Sequence, residues 1–243
     1  MTGDTLTPRE RRRYEKQIMI PEIGVKGQAR LKDSSVLVVG AGGLGCPVLI
    51  YLAAAGVGKL GIVEFDVVDE TNLPRQILYS SGDLGKLKSI IARDRLEQLN
   101  PMISIKAINL KLDKKNCNNI LKDYDIIVDA TDNLEVRYAL NDSCVLLKKP
   151  MVHGAIYKYE GQISVFNYKG GPDYRRYNPE VQSNSIKNPK PADAGLIGVL
   201  PGITGTYMAN EIIKIITGTG NVLSGELLTF NILNNTFKVI KIN

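Results

Sequence analysis

Val36-Leu37-Val38-Val39-Gly40-Ala41-Gly42-Gly43-Leu44-Gly45 is the stretch that decides how this chain folds. An uncharged apolar run enters a loop with four glycines, a helical stretch follows, and Val63-Glu64-Phe65-Asp66 comes next. A strand, a glycine turn, a helix and a second strand ending in acids form the first half of a dinucleotide-type fold. Gly40 permits the tight turn off the strand, and Gly42, with Gly43 beside it, lets backbone N–H groups approach a phosphate. Gly45 removes a side chain where helix packs on strand. Phosphate would sit at the helix N-terminus, where unpaired N–H groups and the macrodipole favour negative charge. Glu64 lies 19 residues beyond Gly45, close to the spacing at which an acid meets a ribose hydroxyl.

Outward from this unit, 243 residues suit one well-buried α/β domain, and 44% hydrophobic with 23% charged residues describes a globular chain. The balance of 31 Lys/Arg against 25 Asp/Glu gives a net charge of +6, spread along the chain apart from Arg9, Arg11, Arg12 and Arg13. That cluster reads as a solvated helix face, or as a basic arm near phosphates or an acidic protein partner. No aromatic platform or recognition motif points to nucleic acid. Residues 36–58 carry no charge, but six glycines and Pro47 fall among them, so strand, turn and helix replace a membrane span. No apolar segment follows the N-terminal arginines, and Cys46, Cys117 and Cys144 are odd in number and widely spaced. The expectation is a reducing cytoplasm without disulfides or a membrane.

Thr7-Pro8 predicts a capped N-terminal helix running through Ile18 and broken near Pro21. Lys86 to Leu99 reads as a helix stopped by Asn100-Pro101, and Ile103, Ile105 and Ala107 alternate as a strand. Ile126-Ile127-Val128 is a wholly apolar strand that delivers Asp129 and Asp132 at its carboxyl end, where open α/β sheets bind ligands. Leu134 to Lys148 reads as a helix and Met151-Val152-His153 starts the next strand. Beyond residue 160 the pattern alternates, in Gln162 to Phe166, Leu227 to Phe230 and Phe237 to Ile240. The last two flank Asn234-Asn235, so antiparallel strands are expected to extend the parallel sheet. Gly170 to Asp193, with four prolines, is a long connection of the kind that forms lids, and Gly205 to Thr217 reads as a helix.

The segment after the first acids, Glu64 to Gln76, contains Asn72-Leu73-Pro74-Arg75-Gln76. Other blocks accompany it: Arg13-Tyr14-Glu15-Lys16-Gln17-Ile18, Gly85-Lys86-Leu87-Lys88, Asp129-Ala130-Thr131-Asp132-Asn133, Tyr159-Glu160-Gly161-Gln162 and Ala194 to Gly202. In this order they resemble the ThiF/MoeB/HesA family of adenylating enzymes, relatives of ubiquitin-activating enzymes. The resemblance implies one adenylating domain over residues 1–243, with a helical arm at 1–30 and a crossover loop at 170–193. The sheet would be Rossmann-like, mostly parallel and flanked by helices, with antiparallel strands toward the C-terminus.

In such enzymes the C-terminal Gly-Gly carboxylate of a ubiquitin-like sulfur-carrier protein, ThiS- or MoaD-like, attacks the α-phosphate of ATP to give an acyl-adenylate and pyrophosphate. A separate sulfur donor then serves thiamine, molybdopterin or related biosynthesis. Carried over by position, Arg75 and Lys88 contact phosphates, Asn72 helps to orient them, and Glu64 holds the ribose. Asp66 and Gln76 complete the nucleotide set, and Asp132 holds Mg2+. Lys16 occupies a position where relatives have an arginine that crosses a homodimer interface to the partner's ATP site. Lysine keeps the charge but loses the planar fork. Taken as bare residues, Asn72 and Arg75 could order a loop, Lys88 could be solvated, and Asp132 could cap the helix starting at Leu134. His153, the only histidine, reads as a structural residue.

Two departures stand out. Relatives with structural zinc carry a C-x-x-C where this chain has Asp173-Tyr174-Arg175-Arg176, and a second pair beyond the point where it ends, so no zinc is expected. The cysteine that some relatives place before Ala-Glu-Ala-Gly is absent from Pro191-Ala192-Asp193-Ala194-Gly195. The three cysteines present read as packing rather than nucleophiles. Two competing readings stay open: an NAD-dependent oxidoreductase built on the same turn, and a non-catalytic adaptor subunit of an adenylating complex.

Overall fold

The computed structural model describes residues 6–179 and 195–242. Among them, eight strands form one sheet in the order β3-β2-β1-β4-β5-β6-β7-β8. β1 (Ser35–Val39), β2 (Lys59–Val63), β3 (Ser104–Ile108), β4 (Ile126–Asp129) and β5 (Met151–Tyr157) run parallel. β6 (Glu160–Phe166), β7 (Glu226–Asn231) and β8 (Thr236–Lys241) are added antiparallel. The expected α/β class and its antiparallel extension are both present. Asn235, with φ 52°, supplies the left-handed turn between β7 and β8.

Strand composition explains the layering. Val36 and Val38 join the apolar cluster on one face, while Leu37 and Val39 join the cluster on the other, so β1 is sealed on both sides. The first face is covered by α3 (Gly24–Asp33), α4 (Gly45–Ala55), α5 (Lys88–Leu99) and α9 (Val199–Thr217), through Leu31, Leu49, Leu52, Leu96, Met208 and Ile212. α6 (Cys117–Leu121), α7 (Leu134–Leu147) and α8 (Tyr174–Tyr177) cover the second, where Leu121, Leu140, Phe166 and Tyr174 pack. Chain order reverses at β1, between β2 and β4, which opens a crevice at the carboxyl ends of β1 and β4.

Three sequence expectations need correction. The N-terminal helix does carry the Thr7–Glu10 capping box, but it splits at Tyr14 into α1 (Pro8–Arg13) and α2 (Glu15–Ile18). Tyr14 is buried against Gly56, where any β-carbon would lie 2.5 Å from the ring, and its hydroxyl accepts from Asn100 Nδ2 at 2.8 Å. The last long helix starts at Val199, six residues earlier than expected, because Pro201 lies in the first turn, where no intrahelical N–H bond is needed. The stretch read as a loop from Gly170 contains α8, while residues 180–194 lie outside the described residues.

Candidate functional site

The glycine turn forms one wall of a cleft of about 700 Å³ at the crevice between β1 and β4. Gly40 takes φ +96°, and a β-carbon there would lie 2.6 Å from the Ala130 carbonyl oxygen. A β-carbon on Gly45 would sit 1.9 Å from the Gly40 carbonyl oxygen, so strand, turn and helix approach as closely as the sequence predicted. Gly42 is different. Its β-carbon position is in ordinary contact, 3.5 Å from Gln76 Nε2, and its backbone faces the cleft.

Glu64 lies just past β2 and is buried. Its carboxylate accepts from the backbone N–H groups of Phe65 and Asp66, at 2.8 and 3.0 Å, and of Ala41, at 3.0 Å. The last bond ties the second strand to the glycine turn. Lys88 is the first residue of α5; its Nζ lies 3.7 Å from Asp66 Oδ2, and its stem is buried. Arg75 lines the cleft while its Nη1 donates to the Thr71 carbonyl at 2.8 Å, so it also orders the loop that carries it. Gln76 is 5% exposed, and its Oε1 is buried without a protein donor. An acceptor in that state at the wall of a polar cleft fits a ligand-borne donor.

Asp132 stands exposed at the cleft rim. The helix-capping role that its sequence position allowed belongs to Asn133, whose Oδ1 accepts from Val136 N–H at 3.1 Å. Gly40, Gly42, Gly43, Glu64, Asp66, Arg75, Gln76, Lys88 and Asp132 therefore line one cleft. Gly45, Asn72 and Lys16 do not, Gly45 being packed against the Gly40 carbonyl behind the turn. Asn72 lies on the neighbouring 3-10 turn, and Lys16 is on α2, 85% exposed and 3.8 Å from Glu15.

The predicted structural role of His153 holds: it is 1% exposed and its Nδ1 lies 2.7 Å from Asp129 Oδ2. Burial, and next the Arg137 charge, lower its pKa from the ordinary histidine value. Asp129, although at the carboxyl end of β4, turns away from solvent onto Arg137 and His153. Arg137, a cleft-lining cation of α7, was not among the residues read from sequence. Its position one turn after Asn133 was the available signal.

All three cysteines are buried. Burial pushes the Cys46 thiol up to about 12 and Cys117 up to about 11, and raises Cys144 as well, so each stays protonated at neutral pH. Among the described residues no group of three or more His, Cys, Asp or Glu side chains is placed to hold a metal. Asp173, at the first position of the replaced thiolate pair, instead caps α8 by accepting from Arg176 N–H at 2.9 Å. No helix among the described residues is long and apolar enough to cross a membrane.

The order of these elements is shared with proteins of known architecture. The chain superposes on the crystal structure of Escherichia coli MccB bound to MccA-N7isoASN with a TM-score of 0.85 at 20% identity, over 99% of this chain and 74% of that one. A "Sulfur carrier protein adenylyltransferase" of Thermus thermophilus is 45% identical over 241 residues, covering 97% of this chain and 89% of the relative. A "Probable molybdopterin-synthase adenylyltransferase" of Porphyra purpurea is 46% identical over 238 residues, or 98% of this chain. The chain spans only 62% of the length of that relative. The ThiF family profile matches residues 14–243, from the Tyr14 plug through the glycine turn and the Asp132 loop to the last strand, and the chain belongs to the ThiF family.

Proposed function

We propose that this protein is an ATP-dependent adenylyltransferase that activates the C-terminal Gly-Gly carboxylate of a ubiquitin-like sulfur-carrier protein. One observation carries the reading: a glycine turn, the cations Arg75, Lys88 and Arg137 and the exposed Asp132 carboxylate converge on a single cleft, with Glu64 fixed at its inner wall. The name of the Thermus thermophilus relative supports a sulfur carrier as substrate.

The attacking carboxylate is ionised at neutral pH, so the obstacle is repulsion between anions rather than proton removal. Backbone N–H groups at Gly42 and Gly43 and the start of α4 would take the phosphates, with Arg75 and Lys88 neutralising charge that grows as pyrophosphate leaves. Glu64 retains acceptor capacity for ribose hydroxyls, and Gln76 Oε1 offers a further acceptor. A carboxylate oxygen forms the new bond to the α-phosphorus while the bond from that phosphorus to the pyrophosphate oxygen breaks, giving acyl-adenylate and pyrophosphate. Mg2+ would be held by Asp132 together with phosphate oxygens, since it characteristically takes one or two carboxylates and keeps the rest of its shell from substrate and water. When bound, it neutralises phosphate charge and fixes the leaving group.

The remaining parts of the reading follow from the resemblance and the substitutions. The described residues form one adenylating domain. A homodimer brings Lys16 to the partner's site, and zinc is not required. A separate protein donates sulfur, because no cysteine here is poised as a nucleophile. The reaction is placed in the cytoplasm.

ATP–pyrophosphate exchange against a panel of Gly-Gly-ended carriers tests the reading. Exchange is expected only with Mg2+ and an intact carrier C-terminus, and Asp132→Ala should slow it about 100- to 1000-fold, the scale for losing one preorganised electrostatic group. Tight NADH binding with no exchange on any carrier would overturn it in favour of an oxidoreductase.

A further inference from the structure

A polar network that the chemistry above does not use runs from Arg137 at the cleft lining to groups behind it. Asp129 and His153 are register partners on β4 and β5, and both are sealed from solvent. Asp129 Oδ2 accepts from Arg137 Nε at 2.8 Å and meets His153 Nδ1 at 2.7 Å; Oδ1 accepts from the Thr131 N–H at 3.2 Å. Arg137 Nη2 donates to the Thr131 carbonyl at 2.7 Å. Both backbone groups of Thr131 are thus held by one ion pair. Its hydroxyl accepts from Asn133 N–H at 3.1 Å, and Asn133 then caps α7. Asp132 sits between two residues whose backbones are fixed.

Burial by itself would raise the Asp129 pKa, but the Arg137 charge and the His153 hydrogen bond outweigh it and hold the carboxylate ionised. His153 must then donate from Nδ1, because an ionised carboxylate only accepts. A buried ion pair is a weak source of stability compared with apolar packing, and its better-attested return is fixed geometry. Here the geometry fixed is that of the loop carrying the candidate metal ligand.

We propose that His153, Asp129 and Arg137 are positioning residues whose network sets the 131–133 loop, so that the cleft's affinity for metal-bound nucleotide depends on a histidine that touches neither. The inference rests on the reading that this cleft takes Mg·ATP. It resembles the way outer partners orient metal ligands elsewhere, where their loss weakens metal affinity by about 10- to 100-fold.

The test uses the full chain and two substitutions, His153→Leu, which removes the donor, and His153→Asn, whose amide can donate from near the Nδ1 position. By titration calorimetry, His153→Leu should bind Mg·ATP about tenfold more weakly, while binding of ATP without Mg2+ changes less than about twofold. His153→Asn should return Mg·ATP affinity to within about threefold of the parent. A folded His153→Leu protein with parental Mg·ATP affinity, or equal losses in both variants, overturns the proposal. Should His153→Leu fail to fold, the single imidazole of the parent protein decides by nitrogen NMR: the Nδ1–H tautomer is expected, and Nε2–H refutes it. If the parent binds no Mg·ATP, the functional reading fails separately. The network is then judged by amide exchange at residues 131–133, expected to be faster in His153→Leu than in His153→Asn, with equal rates counting against it.

Discussion

Replacing Gly45 and Gly42 by alanine, one at a time, separates a glycine needed for packing from one needed for a ligand. At position 45 the new β-carbon would fall 1.9 Å from the Gly40 carbonyl oxygen and 2.9 Å from its carbon, against a normal lower limit of about 3.0 Å. The carbonyl would have to retreat by about 1 Å, and it has little freedom to do so. Gly40 is itself at φ +96°, with its own β-carbon position 2.6 Å from the Ala130 oxygen on the other side. Overpacking of this kind costs about 1–3 kcal/mol, partly offset by the roughly 0.5–1 kcal/mol that alanine gains over glycine in a helix. For a chain of this size a net loss of ~1–2 kcal/mol lowers Tm by about 2–8 °C. Position 42 has φ outside the left-handed region and a β-carbon in ordinary contact, so Gly42→Ala should melt within about 2 °C of the parent. Its methyl would stand where a phosphate must meet backbone N–H groups, and ATP affinity should fall by about tenfold or more. Calorimetric melting and nucleotide titration of the two variants make the comparison. Parental ATP affinity in Gly42→Ala, or an unchanged Tm in Gly45→Ala, would refute the division of labour.

Acid sensitivity offers another check. His153 has its pKa lowered from 6.5, by burial first and Arg137 second, so the unfolded chain takes up the proton first. Its contribution to stability is therefore complete above about pH 6.5 and is lost as pH falls toward the folded value, with a slope of at most ~1.4 kcal/mol per pH unit. Denaturant titrations at pH 7.5 and 5.5 should show a smaller decline for His153→Asn than for the parent; equal declines would exclude the histidine. Mixing is the assay for the cross-subunit role of Lys16. Lys16→Ala and Asp132→Ala chains, each weak alone, should regain activity in heterodimers in which one site carries both defects and the other neither. No recovery under proven subunit exchange would remove Lys16 from the partner's site. For the thiols, a chain with Cys46, Cys117 and Cys144 all replaced by serine should keep exchange activity apart from packing losses. A reductant-sensitive conjugate of the carrier on the parent chain, abolished by one of those changes, would contradict the assignment.

The parts of the fold that were legible are those where residue type is dictated by geometry. Val36 to Val39 had to be a strand buried on both faces, and Gly40 and Gly45 had to be glycines, because backbone atoms occupy the places their side chains would need. What escaped was decided by tertiary contact. Tyr14 interrupts a helix that local propensity favours, in order to fill the space above Gly56, and no pattern within residues 8–18 records Gly56. Pro201 and Gly202 look like a break in sequence, yet in the first turn of α9 they cost little.

Asp129 and Asp132 show where the boundary of legibility lies within the site itself. Three residues apart on one short segment, they look interchangeable as ligands, yet one is sealed beneath the cleft and the other stands at its rim. Strand periodicity separates them. Asp129 is the last residue of β4 and shares a face with Ile127, which packs under α7, so its side chain must enter the interior on that same side. A carboxylate forced there needs a cation and a second donor, and Arg137 on α7 and His153 on β5 are the groups those neighbouring elements bring to it. Asp132 lies past the end of the strand and escapes the alternation, so its carboxylate remains at the surface. Once β4 is assigned from its apolar run, the period of two places Asp129 on the α7 face with Ile127 before any side chain is seen, and its pairing there with Arg137 and His153 is what keeps it out of the cleft. The identity of its partners does not follow, because Arg137 and His153 are eight and 24 residues away on elements whose juxtaposition only the sheet order fixes.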